Sequence, residues 1–485
     1  MNTENTFLVG KYTLESLTSG LYLTPLDLYR EYVQNATDAI DQAIGNGQLK
    51  IQDAQIIITV RSEESYIAIE DNGTGVASEE CQKTLLNIGN SQKDYKKARG
   101  FRGIGRLIGL GYCDKLVFTT TSIGEDKIIR IEFNSKELQS LLSPLNNDLT
   151  TAGSVLQRTT FLTSEPAKTK EHFFRVELFG AKNVDGLLDR TKVLAYLQQN
   201  LPVPFSKEFT WGSLIKQKLS INGYKLAEYN IALDFNNDRK LIYKPYNNSI
   251  LSDRVRRIKD PIADIHFKTF NVKDELCAVL WYAETNYYGT ILDDKVRGIR
   301  LRHGNIMFGN QNSLRPYFKE ERFDGWLSGE LHIVSDQIIP NTRRDDFEKN
   351  DAYQDVLKQF KEWSADISKT IRSVSYRRSL SEKEQLIVSS DNDQEVARIM
   401  HSLKGEDELS DLDESDEIAN IDLFSKLSLL AGTNKPVTKY KALNINSSLT
   451  NEEKQTIEHV FDILYKRLTK GYANKVVRTI LSELD

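Results

Sequence analysis

Cysteine is nearly missing from this chain of 485 residues: Cys81, Cys113 and Cys277 stand far apart, with no metal-ligand or redox spacing. That excludes a disulfide scaffold and a thiolate zinc site, and it fits buried free thiols in a reducing compartment. No apolar run approaches membrane-spanning length. The N-terminal stretch MNTENTFLVGKYTLESLTSG lacks the basic-then-apolar layout of a secretory leader. The expectation is a cytoplasmic protein with no membrane partner. Basic excess is absent too, since 64 Lys and Arg against 69 Asp and Glu leave a formal charge of -5. That balance disfavours a chain that coats nucleic acid, although a local basic groove is compatible with it. Histidine is sparse, six in all, and none precedes His172. Internal repeats are not detected.

What is present is ordinary in bulk, with 39% hydrophobic and 27% charged residues, and specific in detail. The length calls for two or three domains. The expected division is a nucleotide domain over 1–170, a middle α/β domain over 171–368, and an acidic linker with a helical region over 369–485.

Three short stretches in the first quarter carry the chemistry. Thr24-Pro25 opens a helix that Gly45 and Gly47 should end. At 3.6 residues per turn, Glu31, Asn35 and Asp38 share one face, and Tyr29, Val33, Ala36, Ile40 and Ile44 share the opposite one. Glu31 then reads as a general base for water, Asn35 as a neutral oxygen ligand for Mg²⁺, and Asp38 as an orienting group behind them. An ordinary surface helix with scattered polar residues is the plain alternative for this stretch alone.

The second stretch follows two β-branched runs, Gln55–Arg61 and Tyr66–Glu70, that read as paired strands. It is Asp71-Asn-Gly73-Thr-Gly75. A carboxylate at a strand end can accept from an adenine amino group, while Gly73 and Gly75 let backbone approach a flat base. A plain Asx-Gly turn is the competing reading. The third stretch is a basic, glycine-rich segment of about 87–106, containing Asn87, Ser91, Lys93, Gly100, Gly103, Gly105 and Arg106. It suits a lid whose backbone N–H groups face phosphate, with a helix from Arg106 beyond it. It is neither a Walker A loop nor a Rossmann fingerprint. Strands are expected next at Lys115–Thr121, Lys127–Phe133 and Ser154–Thr160, giving an α/β sandwich with a mixed, largely antiparallel sheet.

In this order the motifs resemble the GHKL, or Bergerat-fold, ATPases. Leu17-Thr-Ser-Gly-Leu-Tyr22 through Asp38-Ala39-Ile is most similar to the ninety-kilodalton heat-shock chaperones, and Gly100-Phe-Arg-Gly103 is closer in wording to MutL. The resemblance covers roughly residues 10–165. It implies a Bergerat α/β sandwich there. Farther on, strand-like runs at Leu276–Tyr282, Gly298–Arg302 and Leu331–Val334 read as a mixed α/β middle domain. An acidic run over 406–417 with an amphipathic helix over 450–468 reads as a mainly helical tail, so the expected fold class is α/β (α+β). The resemblance also implies ATP and Mg²⁺ as cofactors, Glu31 as catalytic base, Asn35 as metal ligand and Asp71 as adenine contact. Gly73 and Gly75 would shape the base pocket, and Gly100, Gly103 and Gly105 the lid. Arg106 departs from the chaperone pattern, which usually has an aromatic there.

Farther along, Ile338-Ile-Pro340-Asn341-Thr-Arg343-Arg344-Asp-Asp-Phe347 looks similar to the chaperone middle-domain loop that reaches the γ-phosphate. Asn341 and Arg344 fit that loop's asparagine and arginine best, with Arg343 a close rival; a surface salt-bridge loop with Asp345 and Asp346 is the alternative. The expected activity is ATP hydrolysis coupled to lid and domain closure, acting on a protein client or operon-encoded partner in a homodimer. A MutL- or MORC-like DNA-handling ATPase, including a prokaryotic anti-phage system, is the second reading. A sensor kinase is disfavoured because its phosphoacceptor histidine should precede the site. A type II topoisomerase needs more length. A nucleotide-gated scaffold that does not hydrolyse ATP would have no use for Glu31.

Overall fold

The computed structural model describes residues 9–18, 20, 22, 24–88, 103–146, 151–168 and 170–389. The expected lid residues Ser91, Lys93 and Gly100 lie outside that set. So do residues 406–417, an acidic run that reads as a linker, and 450–468, whose apolar spacing reads as an amphipathic helix.

The first helix, α1 (Tyr12–Thr18), is followed by α2 (Asp27–Gly45), the element on which the site is built. The expected cap differs. Leu26 occupies the N-cap without a side-chain bond, while the Thr24 hydroxyl accepts from the Leu26 N–H and its carbonyl from the Asp27 N–H. The apolar face reads as expected: Tyr29, Val33, Ala36 and Ile40 are buried. The polar side is buried as well at Asp27, Arg30, Glu31, Gln34 and Thr37, so α2 is enclosed nearly all round.

That helix packs on an eight-stranded sheet. Its strands are β1 (Ile56–Arg61), β2 (Tyr66–Asp71), β3 (Lys115–Thr121), β4 (Lys127–Phe133), β5 (Thr160–Pro166), β6 (Phe173–Phe179), β7 (Ile231–Phe235) and β8 (Asp238–Leu241). They lie in the order β5-β4-β3-β6-β2-β1-β7-β8. Every neighbouring pair is antiparallel except β1 with β7. Period-two alternation sends Ile56, Ile58 and Val60 into the core beneath α2. Each such aliphatic side chain stabilises by roughly 1.5–3 kcal/mol. The helices α3 (Ser135–Leu142) and α4 (Ala152–Thr159) follow β4.

Two sequence expectations are corrected here. Residues 154–160 were expected as a strand, but Thr151 caps the Ser154 N–H and starts α4; the strand follows at Thr160. The boundary expected at 170/171 falls inside the first sheet, which gathers strands as late as Asp238–Leu241.

Helices α5 (Arg190–Asn200) and α6 (Gly212–Ile221) lead to a short hairpin, β9 (Ser249–Ser252) with β10 (Ile258–Pro261). A second sheet follows in the order β11-β12-β15-β13-β14. It comprises β11 (Asp264–Val272), β12 (Glu275–Glu284), β13 (Gly298–His303), β14 (Ile306–Met307) and β15 (Ser328–Ile333). The runs Leu276–Tyr282 and Gly298–Arg302, which read as strands in the sequence, fall in β12 and β13, and of the run Leu331–Val334 the first three residues close β15. The last element, α7 (Asp351–Ser389), presents Tyr353, Val356, Leu357, Phe360, Ile367 and Ile371 to this sheet at helical spacing. It runs through the boundary expected at 368/369.

Candidate functional site

The α2 carboxylate Glu31 is 3% exposed and sits between two guanidiniums. Its Oε1 lies 3.3 Å from Arg30 Nη2, and its Oε2 accepts from Arg344 Nη1 at 3.0 Å. Arg344 also donates to Gln34 Oε1. Arg344 is supplied by the loop between β15 and α7, 313 residues away in sequence. Its neighbour Arg343 is exposed. The loop is a tight turn: Pro340 bridges Phe347, the Asn341 N–H donates to the Asp346 carbonyl, and Arg344 has φ of +57°. Phe347 stacks on Phe308 with ring centroids 4.9 Å apart, which anchors the turn to the second sheet. Asp345 accepts from Asn341 and Asp346 from Tyr353, so the adjacent carboxylates organise the loop while Arg344 reaches Glu31.

Gly105 faces the same carboxylate. A Cβ there would stand 2.3 Å from Glu31 Oε2, so a larger residue would displace the carboxylate from its place. The segment Gly105–Gly111 is a 3₁₀ turn rather than the α-helix expected from Arg106. The Tyr32 phenol ties it to α2, donating to the Arg106 carbonyl at 3.1 Å and accepting from the Gly109 N–H at 3.0 Å. Arg106 Nη2 donates to the Asn87 carbonyl at 2.5 Å, joining the two ends of the expected lid. Burial lowers the Arg106 guanidinium to about 10, and its Nε is buried with no hydrogen-bond partner among the described residues. Gly103 carries φ of +70°.

On the other flank, Asp71 closes β2, buried, with Oδ1 accepting from the Gly73 N–H at 2.9 Å. A Cβ on Gly73 would meet the Ala39 carbonyl carbon at 2.6 Å, and one on Gly75 would meet the Thr121 oxygen at 1.9 Å. The turn therefore lies directly against α2 and β3. His172 Nδ1 sits 2.7 Å from the Gly73 carbonyl, and the Thr120 hydroxyl accepts from the Val76 N–H. Asn35 and Asp38 are half-buried on α2, one and two turns beyond Glu31. The three sequence stretches thus converge on one helix, in so far as they are described.

Several participants were not read from the sequence: Arg30, Gln34, Tyr32, Asp27, Tyr196 and His172. Arg30 and Gln34 flank predicted residues on α2, but an amphipathic reading assigns polar neighbours to solvent. Tyr196 and His172 arrive from distant segments and leave no local signature. Tyr22 lies beside this group, its phenol pushed up by burial and then by the Glu31 charge.

Residues 29–158 match the family model described as histidine kinase-, DNA gyrase B- and HSP90-like ATPase. The chain is also similar to a chaperone protein HtpG of Halalkalibacterium halodurans, with 27% identity over 133 residues. That match covers 24% of this chain and 21% of the relative. The chain thus spans about a fifth of the length of the relative it matches. It carries a GHKL-type ATPase domain that resembles the heat-shock-protein branch. Proteins of this class bind ATP, typically with Mg²⁺. Among the described residues no helix is long and apolar enough to cross a membrane.

Proposed function

We propose that this chain hydrolyses ATP, with Glu31 as the general base and Arg344 as a cation brought to the same place from the second sheet. The observation that carries the reading is the 3.0 Å contact between Glu31 on α2 and Arg344 on the β15–α7 loop, two groups of opposite charge from distant parts of the chain. A buried carboxylate on a rigid helix is a suitable base for a water. A guanidinium arriving from another layer suits charge developing on a transferred phosphoryl group.

The residues fit the nucleotide. Asp71 offers a buried carboxylate for an adenine amino group, on a turn whose glycines Gly73 and Gly75 let it sit directly against α2 and β3, while Gly105 brings the opposite segment up to Glu31. Asn35 would hold Mg²⁺, and no group of three His, Cys, Asp or Glu side chains among the described residues is arranged to do so by itself. Mg²⁺ is a hard cation that keeps several waters and takes few protein ligands. When bound, Mg²⁺ would neutralise phosphate charge. Asn87, Gly103 and Gly105, with Ser91, Lys93 and Gly100 outside the described residues, are assigned to the lid. Asp38 would orient groups behind the site.

The coupling partner in this reading is a protein client, because the matched relative is named a chaperone, and the working assembly is a homodimer. The test is steady-state ATP turnover beside equilibrium nucleotide binding. Glu31→Gln should bind ATP and lose turnover; turnover at the wild-type rate in that variant would sink the assignment.

A further inference from the structure

Two arginines at the site are already matched by carboxylates. Arg30 lies 3.3 Å from Asp27 Oδ1 and 3.3 Å from Glu31 Oε1, and Arg344 lies 3.0 Å from Glu31 Oε2. Their charge is balanced within the protein.

Arg106 is different. It is half-buried, and no carboxylate among the described residues pairs with its guanidinium. Of the five N–H donors an arginine carries, one is used by the described residues: Nη2 donates to the neutral Asn87 carbonyl at 2.5 Å. Nε is enclosed with no partner there. Burial lowers the group, and no neighbouring charge offsets that. A cation taken from water without a counter-charge opposes folding, and a bound anion removes that cost.

The backbone of Arg106 is fixed beside the candidate base. Gly105 runs so close to Glu31 that a Cβ would stand 2.3 Å from Oε2, and the Arg106 carbonyl accepts from the Tyr32 phenol at 3.1 Å. The turn at Asp71–Gly75 lies on the other flank of α2. A nucleotide whose base meets Asp71 and whose last phosphate meets Glu31 brings its phosphate chain to the side of α2 where Arg106 stands.

We infer that Arg106 is a nucleotide-binding residue, whose guanidinium takes the phosphate chain of ATP or ADP as the counter-anion it lacks. This rests on the nucleotide reading given above, but not on Glu31 acting as a base. A planar fork of N–H donors matches phosphate oxygens. The aromatic residue that the chaperone pattern usually has at this position could not make such a contact. Arg106 then contributes to ground-state affinity, and Arg344 to turnover.

The experiment measures equilibrium binding of ATP, ADP and adenosine, and the Tm of the nucleotide-free protein. It compares the full chain with Arg106→Met, Arg106→Gln and Arg106→Lys. Expected is a loss of ATP and ADP affinity of about tenfold or more in Arg106→Met, with adenosine affinity within about twofold of wild type. Arg106→Lys keeps the charge and should recover part of the loss. Without nucleotide, Arg106→Met should melt no lower than wild type, because a cation with no counter-charge has been removed. A purely structural arginine behaves otherwise. Its loss would lower the Tm of the free protein and weaken adenosine and ATP alike, and that result overturns the inference. Arg106→Gln keeps a donor for the Asn87 carbonyl, so it carries the test if Arg106→Met fails to fold. A wild type that binds neither ATP nor adenosine overturns the nucleotide reading and this inference together. ATP binding by the wild type, matched by the neutral variants, overturns this inference alone.

Discussion

Gly75 has φ of +61°, and a Cβ there would lie 1.9 Å from the Thr121 carbonyl oxygen of a central strand. Neither the strand nor the turn can yield cheaply. Gly75→Ala should therefore cost at least about 2 kcal/mol, from a left-handed alanine and overpacking together, and should lose nucleotide affinity. Gly47 has a similar φ of +72° but open space around its Cβ position, so Gly47→Ala should cost about 1 kcal/mol or less and leave affinity alone. Denaturant midpoints and calorimetric titration check both. At this scale much of the site was legible. Glu31, Asn35 and Asp38 stand at helical spacing, and Asp71 with its two glycines ends a strand, because short-range periodicity fixes such positions. Arg30 was not legible. Its burial depends on Asp27, Tyr196 and α5, and no local pattern records a partner 169 residues away.

Among the elements, the loop from β15 to α7 sets which arginine reaches Glu31. The sequence left Arg343 and Arg344 as rivals, and the turn separates them: one side chain is exposed, the other reaches Glu31. Arg344→Ala should lower kcat by a factor on the order of 10³, the scale set by an arginine that meets transition-state charge. Arg343→Ala should stay within about twofold, since exposed charges contribute little. Equal losses in the two variants would contradict the assignment. The misread element 154–160 shows a different limit. Ser154-Val-Leu-Gln-Arg-Thr-Thr160 mixes β-branched residues with helix formers, and the Thr151 cap settled the contest for helix. Propensity is a weak prior where a cap and a tertiary surface both act.

Across the whole molecule, the second sheet is organised around a buried carboxylate. Glu330 is fully enclosed and accepts from Lys244 at 2.8 Å, Arg302 at 2.6 Å, Tyr246 at 3.0 Å and His332 at 3.1 Å. Glu330 is held well below the usual carboxylate range: burial opposes that, but the Arg302 and Lys244 charges outweigh it. Burial pushes Lys244 down to about 7, with Arg302 adding to it. Glu330→Gln leaves these cations without their counter-charge and should destabilise by about 3–5 kcal/mol, visible in the denaturant midpoint. His332 is lowered to about 4 from an ordinary 6.5, chiefly by burial, so the folded protein takes up its proton less readily than the unfolded chain. Its contribution is complete above pH about 6.5 and is lost as pH falls toward about 4, on the order of 3 kcal/mol in all. His332→Gln should flatten that part of the Tm–pH curve. An unchanged acid limb would contradict the assignment. The sequence held none of this network, because strands from distant segments assemble it.

The central claim is that Glu31 is the base of an ATPase whose second cation comes from the middle of the chain. The most direct test is single-turnover ATP cleavage, with Mg²⁺ and enzyme in excess, for the wild type, Glu31→Gln and Arg344→Ala, alongside nucleotide binding by each. The account predicts binding by all three, cleavage by the wild type, and loss of cleavage on either substitution. Cleavage at the wild-type rate by Glu31→Gln would contradict it.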